Sequence, residues 1–158
     1  MGYTSRFLTL TKGTGVINRI FHGYGKFEGE MDGRKNGALI SMATGKAVAF
    51  AIFNLQARGE MFVTHNDPVY EGMIVGLAPK PGDMIINVMK GKQLTNMRTQ
   101  GTDENVVLTP VRQMSIAEQL SMLNTDEALE ITPKSLRLRK AILNPNDRKK
   151  NEKSGTPL

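Results

Sequence analysis

The chain contains no cysteine and no tryptophan among its 158 residues. Without cysteine there is no disulfide, thiol nucleophile, thiolate zinc site or iron–sulfur cluster. Only two histidines occur, His22 and His65, so one chain cannot assemble a three-histidine metal site. No apolar run approaches the roughly 18 residues that a membrane-spanning helix needs. The N-terminal residues have no apolar signal core behind them. Aromatics make up only 6% of the chain, which leaves few platforms for stacking a ligand ring. These features together predict a soluble cytoplasmic protein that does not engage a membrane.

Charge is plentiful but unevenly placed. The net charge is +6 at pH 7. Residues 1–133 carry equal numbers of basic and acidic side chains, whereas residues 134–158 carry eight basic against two acidic. A neutral body with a basic C-terminal end attracts polyanions, unless the tail serves only solubility.

Hydrophobic periodicity predicts a mixed, β-rich α+β fold. A helix is expected over Gly2–Lys12, stopped by Gly13, and a strand over Thr14–Phe27. Further strands are expected at Ala38–Met42, Glu60–Thr64, Val69–Leu77, Met84–Val88 and Val106–Leu108. Lys46–Ala57 reads as a largely buried helix stopped at Gly59. Ser115-Ile116-Ala117-Glu118 is a capping box that opens a short helix. Glu127–Thr132 and Ser135–Arg139 read as a hairpin that sets Leu136 and Leu138 on one face and Arg137 and Arg139 on the other. Beyond Leu143 the composition predicts a disordered basic tail.

Catalytic patterns fail one by one. Gly45-Lys46 ends like a phosphate loop, but Ala47 replaces the required Ser or Thr and Ile40 the first glycine. No Asn-Lys-x-Asp motif is present to read guanine. The histidines have no triad partners, and Glu28, Glu30 and Asp32 read as a solvated acidic turn. The sequence predicts no catalysis, metal or cofactor of its own.

What remains is binding chemistry. In Lys90–Gly101 the charged residues Lys90, Lys92 and Arg98 are all basic, and Gln93, Thr95, Asn96 and Gln100 can hydrogen-bond sugars and base edges. Gly91 and Gly101 permit close backbone approach to a phosphate chain. A solvated surface loop would have the same composition. Arg34-Lys35 and Lys134–Lys140, which includes Arg137, Arg139 and Lys140, form two further basic patches. Three such patches without an amphipathic basic helix favour RNA over a membrane surface.

Six stretches then fall in register with one family: Phe7–Gly15, Gly33–Ser41, Gly45–Ala51, Val69–Gly76, Lys90–Arg98 and Thr132–Lys140. In this order they resemble the C-terminal part of the BipA/TypA family of ribosome-associated translational GTPases, relatives of elongation factor G. The resemblance implies three parts. Residues 1–27 would be the last helix and strand of a ferredoxin-like domain, 28–143 the family's own C-terminal domain, and 144–158 the tail. GTP and Mg would belong to a GTPase domain that this chain does not include. Residues 1–27 would expose apolar surface and either fray or pair with a second copy.

The implied partners are the 70S ribosome or its 50S subunit, 23S rRNA and the acceptor end of A-site tRNA. Lys90, Lys92 and Arg98 would neutralise phosphates, Gln93 and Asn96 would bond ribose or base edges, and Arg34, Lys35, Arg137, Arg139 and Lys140 would contact RNA more peripherally. Gln93 stands where the family often has Lys, which removes one charge from the loop. The family is linked to stress adaptation and to assembly of the large ribosomal subunit. A module that docks on ribosomal proteins or regulates the parent GTPase is the alternative.

Overall fold

The computed structural model describes residues 3–26, 34–91 and 107–154. Its elements are α1 (Tyr3–Leu10), β1 (Ala38–Ser41), β2 (Gly45–Lys46), α2 (Ala49–Gln56), β3 (Glu60–Met61), β4 (Pro68–Val69), β5 (Ile74–Leu77) and β6 (Met84–Ile86), followed by α3 (Ile116–Ser121), β7 (Glu127–Ile131), β8 (Leu136–Lys140) and α4 (Pro145–Ser154).

The centre is a four-stranded sheet in the order β3-β5-β1-β6. Strand β1 runs antiparallel to β5 and parallel to β6. Every residue of β1 is buried, because both faces of the sheet are covered. Successive side chains point to opposite faces. Leu39 and Val75 therefore join a core with Ile52 of α2, Met61 and Val88. Ala38, Ile40 and Ile74 join a second core with Leu138 of β8, supported by Phe62, Met114 and Leu129. The β7–β8 hairpin thus covers the face opposite α2, in the register Leu129↔Leu138. A bridge between Met73 and Arg139 and a bond from the Lys140 N–H to the Gly72 carbonyl (2.9 Å) tie the hairpin to the central sheet.

Several expectations need correction. The strand expected over Thr14–Phe27 does not form over the described residues 14–26, where the backbone has no ladder partner. Its apolar side chains stand in solvent, with Ile20 91% and Tyr24 100% exposed. Helix α1 ends as expected near Gly13, but Lys12 also adopts a left-handed conformation (φ 52°), and the Gly13 N–H caps the Leu8 carbonyl at 2.7 Å. Helix α2 is shorter than Lys46–Ala57, because Lys46 pairs with Pro68 in the β2–β4 ladder. Only Ala51 and Ile52 of α2 are buried, and Phe53 is half exposed. Gly59 does not end the helix in a left-handed turn. It is required because a Cβ there would collide with the Leu77 carbonyl of β5. The run Val69–Leu77 is broken by a turn in which Gly72 has φ +83°. Val107 and Leu108 form no strand.

The C-terminal end holds the largest departure. Where composition predicts disorder, residues 145–154 form α4. The Asn144 side chain accepts from the backbone N–H of Asn146 (2.8 Å) and Asp147 (3.4 Å), and Pro145 opens the helix where no N–H is needed. Arg148 reaches back to the carbonyls of Ile142 (3.0 Å) and Leu143 (2.6 Å), which anchors the helix to the end of the hairpin.

Candidate nucleic-acid interface

The basic residues singled out from the sequence divide into two groups in the structure. Arg34 and Lys140 do not face solvent. The Arg34 guanidinium grips Glu127 with both ends, at 2.7 and 3.2 Å, and its side chain is 8% exposed. Lys140 is 2% exposed. Its ammonium lies 2.5 Å from Asp83, 2.6 Å from Asp126 and 3.1 Å from Glu127. Burial alone would lower the Lys140 pKa, but hydrogen bonds to Asp126 and Asp83 and the Glu127 charge outweigh it and raise it above 10.5. Both cations are consumed in holding the hairpin to the sheet. The expectation that they contact RNA is therefore corrected: two enclosed cations already committed to carboxylates, the buried Glu127 among them, are not available to a phosphate.

The alternation in β8 places Arg137 and Arg139 on the face away from Leu138, both half-buried. Arg137 donates to Glu130 at 3.0 Å. The same carboxylate accepts the Tyr70 hydroxyl at 2.6 Å. Burial, followed by the Glu130 hydrogen bond and charge, pushes the Tyr70 pKa up to about 12. Glu130 is held low, chiefly by that same hydroxyl. Arg139 donates to the carbonyls of Lys140 (3.2 Å) and Ala141 (3.4 Å). Lys35 and Lys90 are exposed. Lys92, Gln93, Asn96 and Arg98 lie outside the described residues.

The structure gives the cations of the basic C-terminal end definite places. Helix α4 displays Lys149, Lys150 and Lys153 in a fixed array, and Lys134 stands exposed at the hairpin turn. The signal for α4 was present in Asn144-Pro145-x-Asp147, an N-cap, a first-turn proline and a first-turn acid. Among the described residues no cluster of three His, Asp or Glu could hold a metal ion, and no helix is long and apolar enough to cross a membrane.

Residues 36–145, the sheet, the hairpin and everything between them, match the TypA/BipA C-terminal domain family model. The chain belongs to the TypA/BipA family. It is 47% identical over 159 aligned residues, covering 100% of the chain, to the large ribosomal subunit assembly factor BipA of Buchnera aphidicola subsp. Schizaphis graminum. It is 46% identical over 151 residues, 95% of the chain, to the proteins of the same name from Salmonella typhimurium and Escherichia coli strain K12. The chain spans about a quarter of the length of these relatives, 26% for the first and 25% for the other two. The matched TypA/BipA domain contains both halves of the buried ion network, Arg34 excepted, because its partner residues Asp83, Asp126, Glu127 and Lys140 all fall within 36–145. α1 and most of α4 lie outside it.

Proposed function

We propose that this chain is the ribosome-binding C-terminal portion of a TypA/BipA translational GTPase. In this reading it contacts 23S rRNA and the acceptor end of A-site tRNA and acts in the cytoplasm during large-subunit assembly and stress adaptation. The observation that carries the reading is similarity along the whole chain to proteins named for large ribosomal subunit assembly. The acid-free basic run from Lys90 to Arg98 supports RNA as the contacted component. Lys90, Lys92 and Arg98 neutralise phosphates, and Gln93 and Asn96 bond ribose or base edges. Lys35, Arg137 and Arg139 add peripheral charge. Catalysis, GTP and Mg belong to the parent protein's GTPase domain.

Binding to 50S subunits and to a labelled tRNA acceptor-stem mimic across a salt series tests this reading. Wild type is expected to bind with a clear salt slope that a Lys90→Ala/Lys92→Ala/Arg98→Ala variant loses. Equal binding of the two proteins would sink the loop assignment. Binding to 50S that resists salt would favour docking on a ribosomal protein.

A further inference from the structure

A groove of about 910 Å³ opens between the segment after β3, residues 111–119 and the β7–β8 hairpin. Its volume lies within the usual range for small-molecule and nucleotide sites. The apolar part of its wall includes Phe62, Met73, Met114 and Leu136, side chains suited to the face of a planar ring. The lining contains three basic residues, Arg112, Lys134 and Arg137, and no carboxylate. Arg112 spends one nitrogen on Glu118 (2.9 Å) and Arg137 one on Glu130 (3.0 Å), so among the described residues most of each guanidinium fork remains open. Lys134 forms no ion pair among the described residues and stands exposed at the hairpin turn.

The deciding observation is Gln119. This α3 residue lines the groove, is 8% exposed and is the one residue of its helix that is buried. Among the described residues no donor reaches its buried Oε1 atom. Buried acceptors are normally satisfied, so one left open beside a cation-rimmed apolar groove points to a donor supplied from outside.

We propose that this groove receives one unstacked, amino-bearing base of single-stranded RNA, with the base amine donating to Gln119 Oε1 and the flanking phosphates resting on Lys134 and Arg112. A base supplies the three features the groove asks for: an apolar face, an edge donor and adjacent anions. An acidic peptide supplies the anions and donors but not a flat ring to lie on the apolar wall. The site rests on residues separate from Lys90, Lys92 and Arg98, so it stands or falls independently of the loop.

The test is amide NMR of the 158-residue chain titrated with pentaadenylate RNA, with ribose 5-phosphate and a penta-glutamate peptide as controls. Pentaadenylate is expected to shift Phe62, Gln119, Lys134 and Leu136, and ribose 5-phosphate to shift them far less. Lys134→Glu and Gln119→Leu should each weaken pentaadenylate binding about tenfold. Gln119→Leu should also raise the melting temperature or leave it unchanged, because it removes an unsatisfied buried acceptor. A Lys90→Ala/Lys92→Ala/Arg98→Ala variant should keep the groove shifts even if it loses 50S binding. Unchanged affinity in both groove variants, shifts confined to other residues, or equal response to ribose 5-phosphate would each overturn the proposal. Tighter binding of penta-glutamate at the same residues would overturn it in favour of a protein partner.

Discussion

The Lys140 ammonium lies 2.5 Å from the Asp83 carboxylate, joining the last residue of β8 to the turn that enters β6. Asp83 also accepts the Ala38 N–H at 2.7 Å, so one carboxylate fixes the start of β1 and the end of the hairpin together. Arg34, Glu127 and Asp126 extend this contact into a five-membered network of two cations and three anions. The hairpin covers the second core, and the groove lies along its flank. The network therefore sets the position of the surface that we assign to RNA.

Replacing Lys140 with methionine tests whether this lysine holds the fold or reads RNA. The variant keeps most of the volume, takes the paired cation from the partly exposed Asp83 and Asp126, and leaves the buried Glu127 with Arg34 alone. Removing one partner of a buried pair costs about 3–5 kcal/mol. Urea denaturation should show a loss toward or below the lower end of that range, because Glu127 keeps Arg34 and solvent screens the partly exposed Asp83 and Asp126. By contrast, Arg137→Gln, which breaks a partly exposed pair, should cost about 1 kcal/mol or less. A Lys140→Met protein of wild-type stability with weakened RNA binding would reverse our assignment of this residue.

The same network predicts the acid limb of stability. Partial burial pushes the Asp83 carboxyl up, but the Ala38 N–H and the Lys140 ammonium outweigh it and hold it below its ordinary 3.8. A carboxyl with a depressed folded pKa stabilises the protein above its unfolded pKa, and this is lost as pH falls through the folded value. The raised Lys140 acts in the opposite sense: its contribution is present at neutral pH and is lost only above 10.5 as pH rises. The melting temperature should thus hold through neutral pH and fall below about pH 4. Asp83→Asn should be less stable at pH 7 and have a shallower acid limb, converging on wild type at low pH. Parallel curves for the two proteins would show that Asp83 is not a source of the acid sensitivity.

The sequence made some of this architecture legible and concealed the rest for physical reasons. The capping box was readable because both of its bonds are local, and the structure contains Ser115 accepting from the Glu118 N–H and Glu118 accepting from the Ser115 N–H. The hairpin was readable because Leu and Arg alternate with the strand period. Arg34 and Lys140 misled because a buried, paired cation has the same letter as a phosphate-binding one, and their partners Glu127 and Asp83 lie 93 and 57 positions away. The 14–27 strand misled because apolar, β-prone composition does not make a strand without a neighbour to pair with. Gln119 gave no signal at all, since its isolation depends on what packs around it.

Helix α4 yields a prediction that separates an ordered basic surface from a diffuse tail. Lys149 and Lys153 lie one turn apart, so their charges repel along the same face. The Lys150–Asp147 contact, at 3.5 Å between largely exposed side chains, offsets little of this. A helix capped by Asn144 but loaded with like charge should gain stability when a polyanion screens it. Circular dichroism should therefore show α4 helicity rising on addition of RNA, and Asn144→Ala should lower it by removing a cap worth about 1 kcal/mol. Changing Lys149, Lys150 and Lys153 to Gln should reduce the slope of log affinity against log salt by up to about 2–3, since each released phosphate contact contributes about 0.7–0.9. If all three charges contact RNA, the reduction approaches that limit. A slope unchanged by the triple substitution would show that the α4 lysines serve solubility, and that RNA affinity resides in the Lys90–Arg98 run and the groove.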